Sequence, residues 1–118
     1  MGWSIYLIDP VTKETIKLPF KHQMFGSNYC IGGTEELWLS VTYNYSRVYE
    51  SKTNGLSLDY LNGKFAYQTF EFLENLIHLL SDDVSNDYWE STEGNAKRAV
   101  YHLLAFARMR PDGVWKVC

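Results

Sequence analysis

The sharpest change of character in the chain comes at Ser91-Thr92-Glu93, where an acidic loop gives way to a run with helical spacing. A hydroxyl at Ser91 or Thr92 accepts a hydrogen bond from a backbone N–H two or three residues on, satisfying a donor that the first helical turn leaves unpaired. Glu93 falls where the positive end of the helix dipole favours an acid. Beyond it Ala96, Ala99, Val100, Leu103 and Ala107 share one stripe, Arg108 and Arg110 sit at the cation-favouring end, and Pro111-Asp112-Gly113 stops the run. A helix is therefore expected over residues 92–109. Tyr88 and Trp89, just ahead of it, supply two rings that either brace the helix entrance or wall a pocket beside it.

A second stripe, Ala66, Phe70, Leu73, Ile77 and Leu80, predicts an amphipathic helix over residues 64–80 after the Asn62-Gly63 turn. Small side chains on the last helix allow the two to pack as an antiparallel pair against a sheet. The material for that sheet lies upstream. Residues 4–8 and 14–18, separated by a turn at 11–13, read as a β-hairpin, and residues 18–26 read as a loop. Residues 27–31 suggest a short strand ended by Gly32-Gly33. Residues 37–43 favour a strand, with helix as the competing reading because Thr34-Glu35-Glu36 could also cap one. Residues 43–49 suggest a short helix that breaks by Thr53-Asn54-Gly55, and residues 114–117 an edge strand. The expected class is α+β: a small antiparallel sheet, an N-terminal hairpin plus one or two further strands, packed against two or three C-terminal helices. At 118 residues the chain fits a single domain, 1–118.

Chemistry is harder to find. His22, His78 and His102 are far apart and lack a second ligand at metal-binding spacing, so neither a metal site nor a cofactor is expected. Cys30 in a strand context and Cys118 at the last position do not make a nucleophile, and two lone thiols fit a reducing cytoplasm. Glu35-Glu36 and Asp82-Asp83 are paired acids of the kind that solvated loops carry. Gly32-Gly33-Thr34 and residues 92–95 could each turn backbone N–H groups toward an anion at a helix start, although Glu93 would repel a phosphate at the second. Lys97, Tyr101, Leu104 and Arg108 form a small basic and aromatic stripe that a solvated helix face explains equally well. A net charge of −3 gives no general pull toward nucleic acid or anionic membrane. No basic segment followed by an apolar run opens the chain, and no apolar stretch approaches the ~20 residues that span a bilayer.

What stands out is an aromatic and amide content concentrated around Trp38, Tyr43, Asn44, Tyr45, Tyr88, Trp89 and Asn95, set within 16% aromatic residues overall. Rings beside groups that donate and accept hydrogen bonds suit a planar polar ligand or a protein hot spot. Core packing accounts for about half of such residues under ordinary burial statistics. The candidate recognition residues are Trp38, Asn44, Tyr45, Trp89, Thr92, Glu93 and Asn95.

Two stretches carry a resemblance. One runs from Gly32-Gly33-Thr34 through Trp38-Leu39 to Thr42-Tyr43-Asn44-Tyr45. The other runs from Asp87-Tyr88-Trp89 through Thr92-Glu93-Gly94-Asn95-Ala96 to Arg110-Pro111-Asp112-Gly113-Val114-Trp115. With Tyr6-Leu7-Ile8-Asp9-Pro10-Val11-Thr12 they resemble a family of small uncharacterised proteins of bacteriophages, prophages and their hosts. The resemblance covers most of the chain, least so residues 46–75, and brings no established reaction or ligand. It implies an accessory protein in the bacterial cytoplasm, of the kind that binds a host protein or sequesters a small nucleotide-like molecule used in defence. A non-catalytic binding protein is the leading expectation, with homo-oligomerisation left open. The alternatives are a small hydrolase or lyase with Glu93 or His22 as its acid–base group, and a structural phage component.

Overall fold

The structure, a computed structural model, describes residues 2–22, 33–87 and 89–118. The strand expected at 27–31, Cys30, Gly32 and Tyr88 lie outside the described residues.

The fold is α+β, as expected. β1 (Gly2–Ile8) is the middle strand of a three-stranded sheet, between β4 (Trp38–Thr42) and β5 (Val114–Val117), and is antiparallel to both. Period-two alternation along β1 buries Trp3, Ile5 and Leu7 on one face. Backbone bonds join Ser4 and Cys118 in both directions, at 3.1 and 2.9 Å, while Leu7 N donates to Leu37 O at 3.0 Å. Strands from the two ends of the chain are thus laced together.

The N-terminal hairpin begins as expected and then departs. The Asp9 carboxylate accepts from Val11 N (2.8 Å) and Thr12 N (3.0 Å), and Asp9 N donates to Glu14 O. Pairing of the two arms stops after a single bridge, Ile8 to Thr15. Ile16 then wedges between Leu7 and Leu37: its N–H donates to Leu7 O and its carbonyl accepts from Leu37 N, both at 2.9 Å. The chain continues as β2 (Lys17–His22), which pairs with β3 (Thr34–Glu36) in a separate two-stranded sheet. Residues 18–22, expected as loop, are therefore strand. Alternation specifies an extended segment without naming its partner.

Residues 43–45 form one turn of 3-10 helix leading into α1 (Ser46–Lys52), as the sequence indicated. Residues 66–69 form another, running into α2 (Phe70–Leu79). α3 (Glu93–Met109) is the longest element. Its expected stripe is wholly buried, together with Leu104 and Phe106. α2 and α3 run antiparallel: Ser81, just past α2, meets Glu93, whereas Glu74 within α2 meets Arg108 at 2.8 Å. One apolar cluster joins β1, β4, β5 and the three helices. At its floor the fully enclosed Trp115 donates its Nε1–H to Thr69 Oγ1 at 2.9 Å. Among the described residues no helix is long and apolar enough to cross a membrane.

Candidate functional site

The polar heart of the molecule is the loop of residues 81–91 folded over the start of α3. Thr92 is the N-cap, its Oγ1 accepting from Asn95 N at 3.1 Å. Asn95 is completely buried, and its amide is saturated. Nδ2 donates to Asp87 O (3.0 Å) and Glu90 O (3.1 Å), while Oδ1 accepts from Ser85 N (3.0 Å) and Arg98 Nη2 (2.8 Å). An amide with both donors and both lone pairs engaged has nothing left for a visitor. Asn95 staples the loop from within, which corrects its expected place on a recognition surface.

Gly94 allows the loop to lie this close. Its N–H donates to Asp83 O at 2.9 Å, and a Cβ there would stand 2.7 Å from the Asp83 carbonyl carbon and 2.6 Å from Val84 Cγ1. With the N–H groups of Gly94 and Asn95 both occupied, this helix start does not offer them to an anion. Glu93 is only partly covered. Its Oε1 accepts from Ser81 N at 3.1 Å and lies 3.4 Å from Lys52 Nζ. The Ser81 N–H holds its carboxyl below the usual range, and Lys52 adds to the effect. Such a carboxylate is a tie between helix ends rather than a group poised to trade protons near neutrality.

Asn44 and Trp89 do come together. Asn44 Nδ2 donates to Trp89 O at 2.9 Å, joining the turn after β4 to the loop ahead of α3. The Trp89 indole is about half exposed (51%), and Tyr43, adjacent to Asn44, is 43% exposed with its ring edge-on to Trp3 at 5.0 Å. Asp87 Oδ1 accepts from Trp89 N at 3.1 Å, fixing the backbone that carries the indole. Tyr45, by contrast, is entirely buried, edge-on to Tyr49, whose hydroxyl donates to Ala96 O at 2.8 Å. The Tyr49 ring bolts α1 onto α3, and Tyr45, packed against it, belongs to the core. Trp38 stands at the far end of β4, about 13 Å along the strand from Thr42 by the usual rise. It stacks on Tyr6 at 6.0 Å, and its Nε1 is buried with no hydrogen-bond partner among the described residues.

The other expected features resolve simply. Thr34 opens β3 rather than a helix, so the segment from Gly33 makes no helix-start anion site. In the α3 stripe Lys97 holds Asp82 and Arg108 holds Glu74, each at 2.8 Å, while Leu104 is buried. His22 Nε2 lies 2.6 Å from Glu36 O, and His102 Nδ1 lies 2.8 Å from Arg98 O. Among the described residues no three His, Cys, Asp or Glu side chains cluster as metal ligands would.

Two grooves include none of the expected recognition residues. One, of about 660 Å³, is polar and runs from the Asp9–Lys17 turn to Glu36 and Arg110, whose guanidinium is held in a fork by Asp112. The other, of about 300 Å³, lies between the end of α1 and α2 and has an apolar floor. Its only sequence signal is the placement of Leu56 and Leu79 off the buried stripes. No protein-family model, no curated protein and no solved structure matches the chain.

Proposed function

We propose that the chain is a non-catalytic, phage-type binding protein of the bacterial cytoplasm that engages a host protein through the face formed by Trp89, Tyr43 and Asn44. The observation that carries this reading is the half-exposed Trp89 indole on a backbone fixed by Asp87 and Asn44. A large ring displayed with little conformational freedom is what protein hot spots use. Asp87 and Glu90, beside Trp89 in the chain, and Arg47, three residues after Asn44, are exposed and would supply polar groups to the rim of such a patch. The amide best suited to read a base, that of Asn95, is spent within the fold, which favours a protein partner over a nucleotide-sized ligand. The resemblance to phage and prophage proteins is what points the partner to the host.

The test compares wild type with Trp89→Ala in affinity capture from bacterial lysate, followed by calorimetry with the purified captured protein. A partner held by wild type and weakened at least ~30-fold by Trp89→Ala, the effect of losing a hot-spot ring, is the expected result. Equal capture by both forms, or calorimetric binding of nucleotides in place of protein, would overturn it.

A further inference from the structure

The groove between α1 and α2 is independent of the Trp89 face, and it is built. Thr53 Oγ1 bonds Tyr49 O at 3.1 Å and both Leu56 O and Leu56 N at 2.9 Å, locking the turn that forms one wall. Phe72, supported from behind by the Tyr60 ring at 4.6 Å, lies on the opposite side with Leu79. Leu56 and Leu79 remain 37% and 49% exposed. Polar groups ring this apolar floor. The side-chain amides of Asn54 and Asn75 have no hydrogen-bond partner among the described residues, and His78 and Lys52 complete the lining, which contains no carboxylate.

We infer that this groove binds a small amphipathic organic acid, its apolar body on Leu56, Phe72 and Leu79 and its anionic group at Lys52. The volume, about 300 Å³, suits a molecule of that size rather than a folded partner. Charge complementarity selects the acid, since the lining offers an ammonium, an imidazole and two amides, and the carboxylate that faces the ammonium, Glu93, lies outside the lining. Lys52 is the one lining cation with a partner, and that contact is exchangeable. It lies 3.4 Å from Glu93 with both side chains about a third exposed, the kind of pair that contributes little, and Glu93 keeps the Ser81 N–H when Lys52 turns away. Ligand and Glu93 therefore compete for the same ammonium.

The probe is 1-naphthoate, titrated into the full chain and followed by amide chemical shifts, with 1-naphthalenemethanol as its neutral counterpart. Saturable shifts centred on Leu56, Phe72 and Leu79 are expected at about 1 mM, the affinity a ligand of this size attains in a partly open site. The alcohol should bind at least about threefold more weakly, and Lys52→Gln should weaken naphthoate by a similar factor. Glu93→Gln, which still accepts from Ser81 but no longer holds Lys52, should tighten it. Shifts that fail to saturate or centre elsewhere, equal binding of acid and alcohol, or an affinity unmoved by Lys52→Gln overturn the site. No tightening on Glu93→Gln overturns the competition.

Discussion

A buried amide is tolerated only when each of its polar atoms is matched, and at Asn95 the matching groups come from a loop. Its side chain replaces the regular structure that residues 81–91 lack, giving carbonyls at Asp87 and Glu90 and an N–H at Ser85 a common anchor. Asn95→Ala removes that anchor while leaving helix propensity intact or better. It is expected to destabilise the chain by about 2–3 kcal/mol, read as a lower urea midpoint at unchanged slope. The neighbouring Thr92 was legible in the sequence because capping is local: its hydroxyl acts on the N–H three positions on, whereas the partners of Glu93, Ser81 and Lys52, are distant in the chain. Asn95 was not, since its partners lie in a stretch with no periodicity to betray them. The same blindness applies to Tyr45, where an aromatic beside an amide looks identical in sequence whether it faces solvent or core.

Among the elements, helices were readable and strand partnerships were not. The 3.6-residue stripe of α3 names both the element and the face it buries, all five residues being enclosed; that of α2 names the helix but less of its face, since Phe70 and Ile77 are only partly buried and the enclosed Leu76 lies off the stripe. A two-residue alternation names a strand but leaves its neighbour to long-range packing, so the turn after β1 formed while the hairpin did not extend past Thr15. The join between α3 and its covering loop offers a sharp test of element packing. Gly94→Ala would gain about 1 kcal/mol of helix propensity but drive a methyl group into Asp83 and Val84. Overpacking of about 1–3 kcal/mol should outweigh the gain. The expected outcome is loss of hydrogen-exchange protection at the residue 94 amide, with the amides in the middle of α3 still protected. Unchanged protection at residue 94 would mean that the loop is not seated as described.

For the molecule as a whole the decisive feature is that β1 sits between β4 and β5, with partners drawn from more than thirty and more than one hundred residues downstream. Ordering the intervening chain precedes the reward of pairing, so folding should take ~1 ms to 1 s, as in other domains dominated by distant contacts. Stopped-flow refolding monitored by tryptophan fluorescence will check this, and a microsecond relaxation would contradict it. Burial statistics put about half of the aromatic and amide cluster in the core; of its six described members Tyr45 and Asn95 are buried, Trp38 is partly covered, and Tyr43, Asn44 and Trp89 are exposed, a division that composition does not indicate. During translation the same strand order has a consequence for the cell. At ~5–20 residues per second, β1 waits ~5–20 s for residues 114–117 to be polymerised, and longer for them to clear the ribosome. Throughout that interval one side of its ladder is open, so the nascent chain carries an unpaired, β-rich apolar edge that only the last strand covers.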